Sequence, residues 1–430
     1  MPVFPTELTD EIIACIPVVC SGTRERYPTL LCCSLVCSAW LPASRHQLFQ
    51  ELYIDTPVRY DLLVSRVLHS EEMRLYLPSV RTVQLKIPDS PPFNRRPFML
   101  EFAGHLPSVT DMHMSRTALG AWISHPSSFV AISRFSSTQS LMIFRCAFPS
   151  FGALRRILTS LPSLTILRLD DPSWPDPAAD LSPRLSHGAS IVRRPALSVL
   201  AASWGSHSPD QRRAQQFMNW LSETATASSL VDLRVSKHPE TAQIGCMETF
   251  GPSLVRFGRA VRRLDIEVGE SRDPKLERFL CSLTSLEALH LRFDSLRLQP
   301  DAWVQIASLM HSVPRRTKLL DLYIKFHYSG PPELSNLDGL EALDAALQPE
   351  LFDDLQAVKL HLFYTEVSTN PQERVRTEPM LAVFKTKLSK LYERSTIEVS
   401  ADEGYSYTVS VGPQPVVDVE PPTDHNTALS

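Results

Sequence analysis

The stretch LPSLTILRLDD, residues 161–171, decides the fold, because it joins a short turn to a strand pattern that recurs along the chain. Apolar residues at alternate positions, as in LRLDD, bury one face of a strand. The pattern recurs at intervals of 25 to 39 residues. Its copies are VQLKI (83–87), MHMSR (112–116), LMIFR (141–145), LRLDD (167–171), LAASW (200–204), LRVSK (233–237), LDIEV (264–268), LHLRF (289–293), LYIKF (322–326), VKLHL (358–362) and IEVSA (397–401). Such a period predicts an array of stacked units.

Helical segments stand between the strands, as in FGALRRILTSL (151–161), PKLERFLCSL (274–283) and DAWVQIASLMHSV (301–313). The repeating unit is therefore a helix, a short turn and a strand. One such unit cannot close a core alone, whereas parallel stacking of many units buries both faces. We predict an α/β solenoid with a parallel sheet. A conventional doubly wound α/β sheet is the alternative, and the scarcity of glycine, 14 in 430 residues, counts against it.

This repeat resembles the leucine-rich repeat in its longer, helix-containing form. The resemblance implies a horseshoe over residues 56–411, in which the second and fourth residues of each five-residue strand pattern line the concave face. Residues 170–195 are rich in Pro, Asp and Ser and are expected to form an irregular insertion. The Pro-rich polar tail, 412–430, is expected to be disordered.

The first fifty residues predict three short helices. The first begins at FPTELTDEII, where Thr6 can cap it, and Pro17 is expected to end it. A polar loop follows, and Pro28 marks the start of a second helix that contains LLCCSLVCSAW (30–40). The third helix follows Pro42, and Leu48, Phe49 and Leu52 are expected to lie on one of its faces. Three small helices make a marginal core, so they need a neighbour or a partner.

Five of the eight cysteines lie in the first 37 residues. A structural zinc site needs four ligands, and near Cys32, Cys33 and Cys37 the only histidine is His46. A metal site and a redox site are the alternatives to buried thiols. We interpret the cysteines as reduced, small apolar residues of a core.

The ordered set of N-terminal motifs resembles the F-box. The positions that carry the resemblance are Pro5, Glu7, Leu8, Leu31, Ser34, Leu35, Val36, Cys37, Trp40, Leu48 and Phe49. It implies that residues 1–55 bind a Skp-type adaptor protein and, through it, a cullin. The adaptor contacts would be Pro5, Leu8, Ile12, Leu31, Leu35, Val36, Trp40 and Phe49. The alternative is an ordinary three-helix cap on the solenoid.

In the C-terminal half, the second and fourth residues of the strand patterns include charges of both signs and an aromatic ring. Such a surface suits protein recognition. We predict substrate contacts at Arg234, Asp265, His290, Arg292, Tyr323, Lys325 and Lys359. The alternative is that such charges pair with one another, as Glu267 would with Arg292. The F-box resemblance implies a substrate-recognition adaptor of an SCF-type ubiquitin ligase that holds an unknown protein substrate. A leucine-rich-repeat scaffold with no ligase role is the alternative.

Composition narrows the remaining classes of function. The net charge of -4 gives no basic field for nucleic acid. No phosphate-binding glycine motif and no H-E-x-x-H zinc motif occurs, so we expect neither an enzyme nor a cofactor. No apolar run reaches the roughly 18 residues of a membrane span. Acidic residues precede IIACIPVVC (12–20), where a secretory signal carries positive charge, and this argues against such a signal. We expect a cytoplasmic or nuclear protein.

Overall fold

The structure of the chain is a computed structural model. It describes residues 5–20, 23–86, 97–116, 126–175, 194–204, 208–237, 254–268, 274–296, 300–328, 339–348, 357–366, 386–389, 396–402 and 406–411. The chain divides into two compact units, Met1–Arg262 and Arg263–Ser430.

Three helices open the first unit: α1 (Thr6–Val19), α2 (Thr23–Val36) and α3 (Leu41–Phe49). Their shared core is small. Ile13 and Leu30 are fully buried in it. The three helices are therefore the expected ones, although two of their boundaries differ from the sequence prediction.

Neither proline ends or begins a helix as predicted. Helix α1 continues past Pro17, and the N–H of Cys20 donates to the carbonyl of Ile16 at 2.9 Å. Helix α2 begins at Thr23, so Pro28 lies inside it. A proline inside a helix removes one N–H donor, and here the hydrogen bonding resumes beyond it, so the helix persists.

Seven strands of the first unit pair in chain order, each parallel to the next. They are β1 (Glu51–Ile54), β2 (Thr82–Leu85), β3 (Asp111–Ser115), β4 (Ser140–Phe144), β5 (Ile166–Asp170), β6 (Val199–Trp204) and β7 (Asp232–Lys237). Strand β1 was not predicted. The sequence predicts Leu52 on a helix face, whereas in the structure it alternates with exposed Tyr53 and is buried, like Ile54, in this strand.

Helices connect these strands. They are α4 (Pro57–Leu62), α5 (Glu71–Arg74), α6 (Phe98–Glu101), α7 (Pro126–Ile132), α8 (Phe151–Ser160), α9 (Ser208–Leu221) and α10 (Thr226–Ser229). A π-helical turn covers Leu63–Leu68 and a 3-10 turn covers Leu77–Ser79. One face of every strand is buried, and the side chains that fill this core include Val83, Leu85, Met112, Met114, Leu141, Ile143, Leu167, Leu169, Leu200, Leu233 and Val235.

Three successive strands end in the same unusual turn. Arg116, Arg145 and Asp171 follow β3, β4 and β5 with φ near 50° in the left-handed region. Each donates its backbone N–H to a carbonyl at the end of the next strand, over 2.7 to 2.9 Å. Left-handed backbone is uncommon for residues other than glycine, so the repeated hydrogen bond accounts for its presence here.

The second unit contains five parallel strands in chain order and one antiparallel strand. The parallel strands are β8 (Arg263–Val268), β9 (Ala288–Leu296), β10 (Leu319–Tyr328), β11 (Ala357–Glu366) and β12 (Thr396–Asp402). Strand β13 (Ser406–Val411) pairs antiparallel with β12 and was not predicted. The helices cover Pro274–Ser282, Pro300–Met310 and Leu340–Ala346.

The predicted fold class is confirmed. The eleven predicted strands are β2 to β12, and each unit is a leucine-rich-repeat-like α/β solenoid with a parallel sheet. The division of the chain at residue 55 stays a prediction. Most of the expected insertion, 176–193, and the tail, 412–430, lie outside the described residues. In the described ranges, no helix is both long and apolar enough to cross a membrane.

Candidate functional site

An apolar surface on α1 and α2 faces solvent. It consists of Leu8, Ile12, Leu31, Leu35 and Val36 and is called the helical apolar surface below. Leu35 is 85% exposed, and the other four are between 48% and 62% exposed. Exposed large apolar side chains, where they form a patch, are typical of protein-binding sites.

The local helix geometry explains why these side chains point outward. Successive helical residues are rotated by about 100°, and the three-helix core accepts only one residue of each adjacent pair. Ile13 and Leu30 are inside, so Ile12 and Leu31 lie on the outer side. Val18 and Val19 are also exposed. The sequence prediction did not include these two valines, and their only signal was their place in the apolar run 12–20.

The other predicted adaptor contacts have different surroundings. Pro5 is exposed, and Trp40 is half-buried where α3 begins. Phe49 stacks on Tyr76 with ring centroids 5.6 Å apart. Phe49 is thus packed against the chain's own residues, while its contact with an adaptor stays a prediction.

Helix α2 is fastened to the first strand of the sheet. The Tyr27 hydroxyl donates to the backbone carbonyl of Glu51 at 2.6 Å, and Arg26 forms an ion pair with the Glu51 carboxylate. The amide of Gln84 donates to the same carboxylate at 2.5 Å. Burial raises the pKa of Tyr27, and the nearby positive charges of Arg26 and Arg59 oppose this rise only in part. These contacts attach the helical apolar surface to the repeats.

The cysteines are mostly exposed, which corrects the prediction of buried thiols. Cys15, Cys32 and Cys37 are exposed, Cys33 is half-buried, and Cys146 is buried. Partial burial is the main cause that raises the pKa of Cys33. The core of three short helices is too small to take these side chains. Within the described part of the chain, no group of three or more His, Cys, Asp or Glu residues is arranged to hold a metal.

Charged side chains line the open face of the second unit, the face opposite its buried strand positions. The Arg292 Nε donates to the Asp265 Oδ1 at 2.9 Å, and the His290 Nδ1 lies 3.6 Å from the other oxygen of Asp265. On the next strands, the His361 Nε2 lies 3.2 Å from the Asp321 Oδ1. Intramolecular pairing therefore accounts for much of this charge.

The structure brings five of the seven predicted substrate residues together on β8 to β11, namely Asp265, His290, Arg292, Tyr323 and Lys359. Tyr323 is half-buried and Lys359 is exposed. The Lys325 side chain lies outside the described residues. Arg234 belongs to the first unit, where its guanidinium binds Asp232 of the same strand at 2.9 Å. The suggested partner of Arg292, Glu267, is its register neighbour, yet Arg292 donates to Asp265 instead.

Comparison with protein-family models and with curated proteins finds no match. Two solved structures are similar in part. The TLR13–ssRNA13 complex matches at 16% identity with a TM-score of 0.32, over 74% of this chain and 40% of that chain. A leucine-rich-repeat protein of Leptospira interrogans matches at 12% identity with a TM-score of 0.22, over 82% of this chain and 90% of that chain. This chain thus spans less than half the length of the TLR13 chain.

Proposed function

We propose that this protein is the substrate-recognition adaptor of an SCF-type ubiquitin ligase. In this proposal the three N-terminal helices dock a Skp-type adaptor and, through it, a cullin, and the repeats hold a protein substrate. The protein acts in the cytoplasm or the nucleus and makes or breaks no covalent bond itself. Its contribution is to raise the effective concentration of the substrate near the conjugating enzyme.

The observation that carries the proposal is the helical apolar surface. Its residues Leu8, Leu31, Leu35 and Val36 belong to the motifs that resemble the F-box, and they face solvent instead of the core. Leu30, one residue from Leu31, already fills the core of the helices. The outward side chains are therefore available to a partner.

The size of this surface sets what it can contribute. The exposed parts of its five side chains amount to about three fully exposed aliphatic residues. Burying them would stabilise a complex by about 4 to 9 kcal/mol, while association costs about 4 to 15 kcal/mol. Stable docking therefore needs further contacts, and the half-buried ring of Trp40 beside α3 is the nearest predicted one.

The test is recovery of a purified Skp-type adaptor on immobilised protein, with Leu35→Asp as the variant. Leu75→Asp is the matched control, because Leu75 is 79% exposed and lies outside the helical apolar surface. We expect recovery by wild type and by Leu75→Asp, and loss of recovery by Leu35→Asp. Equal recovery by all three proteins, or none by wild type, favours a leucine-rich-repeat scaffold with no ligase role.

A further inference from the structure

The open face of β4 to β6 in the first unit differs from the rest of the sheet. Its strand positions opposite the core carry apolar side chains: Met142 on β4, Ile166 on β5, and Val199 and Ala201 on β6. All four are partly exposed. In a sheet with one solvated face, the strand positions on that face normally carry polar residues. Four adjacent apolar residues there need a further explanation.

Arg168 stands in the middle of this group. The strand register places it directly beside Met142 on one side and Ala201 on the other, with Ile166 two residues earlier on its own strand. Val199 is diagonal to it, since it is paired with Ile166. The Arg168 side chain is exposed and makes no hydrogen bond or ion pair within the described residues.

The nearest charged groups do not neutralise Arg168. Asp232 is bound by Arg234 through two hydrogen bonds, of 2.9 and 3.2 Å. Asp170 lies two residues along the strand and has an interaction of its own, but within the described residues no hydrogen bond or ion pair joins it to Arg168. His113, one strand beyond Met142, is held toward its neutral form, because burial lowers its pKa, the nearby carboxylate of Asp111 opposes this only in part, and the charge of Arg168 lowers the pKa further. Among the residues that the structure describes, Arg168 is thus a cation without a bound anion, surrounded by apolar side chains.

We propose that the β4–β6 face binds an extended peptide segment in which an acidic side chain is flanked by aliphatic ones. The acidic group would pair with Arg168, and the aliphatic groups would cover Met142 on one side and Val199 and Ala201 on the other. This inference rests on the proposed function, because it gives the chemistry of the segment that the repeats would hold.

The spacing of the sheet fits such a segment. Neighbouring strands are about 4.8 Å apart, so the backbones at Met142 and Ala201 are separated by about 10 Å across Arg168. In an extended peptide, every second side chain faces the same way, at intervals of about 6.8 Å. With its acidic group over Arg168, each aliphatic group of the pattern aliphatic-x-acidic-x-aliphatic lies about 6.8 Å away, about 2 Å beyond the flanking strand and within reach of its side chains.

The charge of the site favours a carboxylate over a phosphate. One guanidinium can form two parallel hydrogen bonds with one carboxylate. A phosphorylated side chain carries about -1.5 to -2 charges and is usually met by an arginine cluster. Arg234, the other arginine in this row, is already engaged by Asp232. We therefore assign the site to Glu or Asp in the bound segment.

The test uses the full chain and fluorescein-labelled peptides in a polarisation titration. The principal probe is SLSESLS. The comparison probes are SLSQSLS without the charge, SSSESSS without the aliphatic groups, SLSKSLS with the opposite charge, and a probe with phosphoserine in place of glutamate. We expect saturable binding of SLSESLS by wild type, at least about tenfold tighter than that of every other probe, and weaker in high salt.

Two variants and one control identify the site. Arg168→Gln should weaken SLSESLS binding at least about tenfold, and Arg168→Glu should abolish it while gaining binding of SLSKSLS. Arg134→Glu makes the same charge change at an exposed arginine beyond α7 and should leave SLSESLS binding as in wild type. Circular dichroism of each variant should match wild type, as expected for exposed side chains.

Several results would overturn the proposal. These are no saturable binding of SLSESLS by wild type, equal binding of SLSQSLS, and equal weakening by the Arg134 and Arg168 variants. Tighter binding of the phosphoserine probe would overturn the assignment to a carboxylate. The outcome is separable from the proposed ligase role, because adaptor recovery depends on Leu35 and should be the same in wild type and in the Arg168 variants.

Discussion

The contrast between Leu30 and Leu35 predicts how the helical apolar surface responds to truncation. Both residues are leucines of α2, but Leu30 is 1% exposed and Leu35 is 85% exposed. Leu30→Ala leaves a cavity and should destabilise the three helices by about 2 to 5 kcal/mol. Leu35 buries only about a seventh of itself, so Leu35→Ala should cost about 0.2 to 0.5 kcal/mol.

Hydrogen exchange measured by mass spectrometry on peptides from α1 to α3 provides the assay, because it reports local opening within a chain of two compact units. Protection of these helices should fall strongly in Leu30→Ala and remain near the wild-type level in Leu35→Ala. The strands β4 to β6 serve as an internal reference, since neither substitution touches them. A loss of protection in Leu35→Ala as large as that in Leu30→Ala would refute the conclusion that this face is free for a partner.

Three further outcomes follow from individual contacts. Tyr27→Phe removes the hydroxyl that binds the backbone of β1 and should destabilise α2 by about 0.5 to 1.5 kcal/mol. The pKa of Tyr27 in the folded protein is raised above its usual value near 10, so the stability from this contact is present below that value and is lost as pH rises through the folded pKa. Denaturation measured across alkaline pH tests this loss. The thiol of Cys32 should react with a thiol reagent in the native protein, whereas Cys146 should react only after unfolding, and equal rates at both would contradict the assigned burial. Arg168→Ala should raise the pKa of His113, measured by NMR titration, because it removes a nearby positive charge, yet leave it below the ordinary value, because burial is the larger cause; an unchanged or lowered pKa would be inconsistent with this geometry.

The strands could be predicted because alternation of apolar residues identifies a one-sided sheet without any knowledge of the partners. Strand β1 could not be predicted, because only Gln50 separates ELYI (51–54) from the end of α3 and no proline or glycine marks the boundary. Strand β13 escaped notice because the predicted pattern was a parallel repeat, and this strand returns antiparallel beside β12. The repeat period therefore predicts the internal strands, whereas the first and last strands do not follow the repeat pattern and cannot be predicted from it.

The surfaces could be predicted only in part. The resemblance named Leu31 and Leu35, and both are exposed, but the burial assigned to Cys32 and Cys37 was wrong. A helical pattern shows which residues share a face, whereas the size of the core decides how many of them it takes in. The ion pairs could not be predicted from the sequence either, because a long side chain such as that of Arg292 can reach several carboxylates within a few ångströms.

The left-handed turns after β3, β4 and β5 bear on how such a chain grows. The chain leaves each of these strands in the same backbone conformation, and the N–H of the residue after the strand donates one hydrogen bond to a carbonyl of the next strand. The exit from one repeat is consequently interchangeable with the exit from the next. Duplication or excision of a whole repeat leaves the neighbouring strands with a compatible junction, and differences in repeat length accumulate in the connecting segments. The array is thereby open to lengthening or shortening during evolution without redesign of its core.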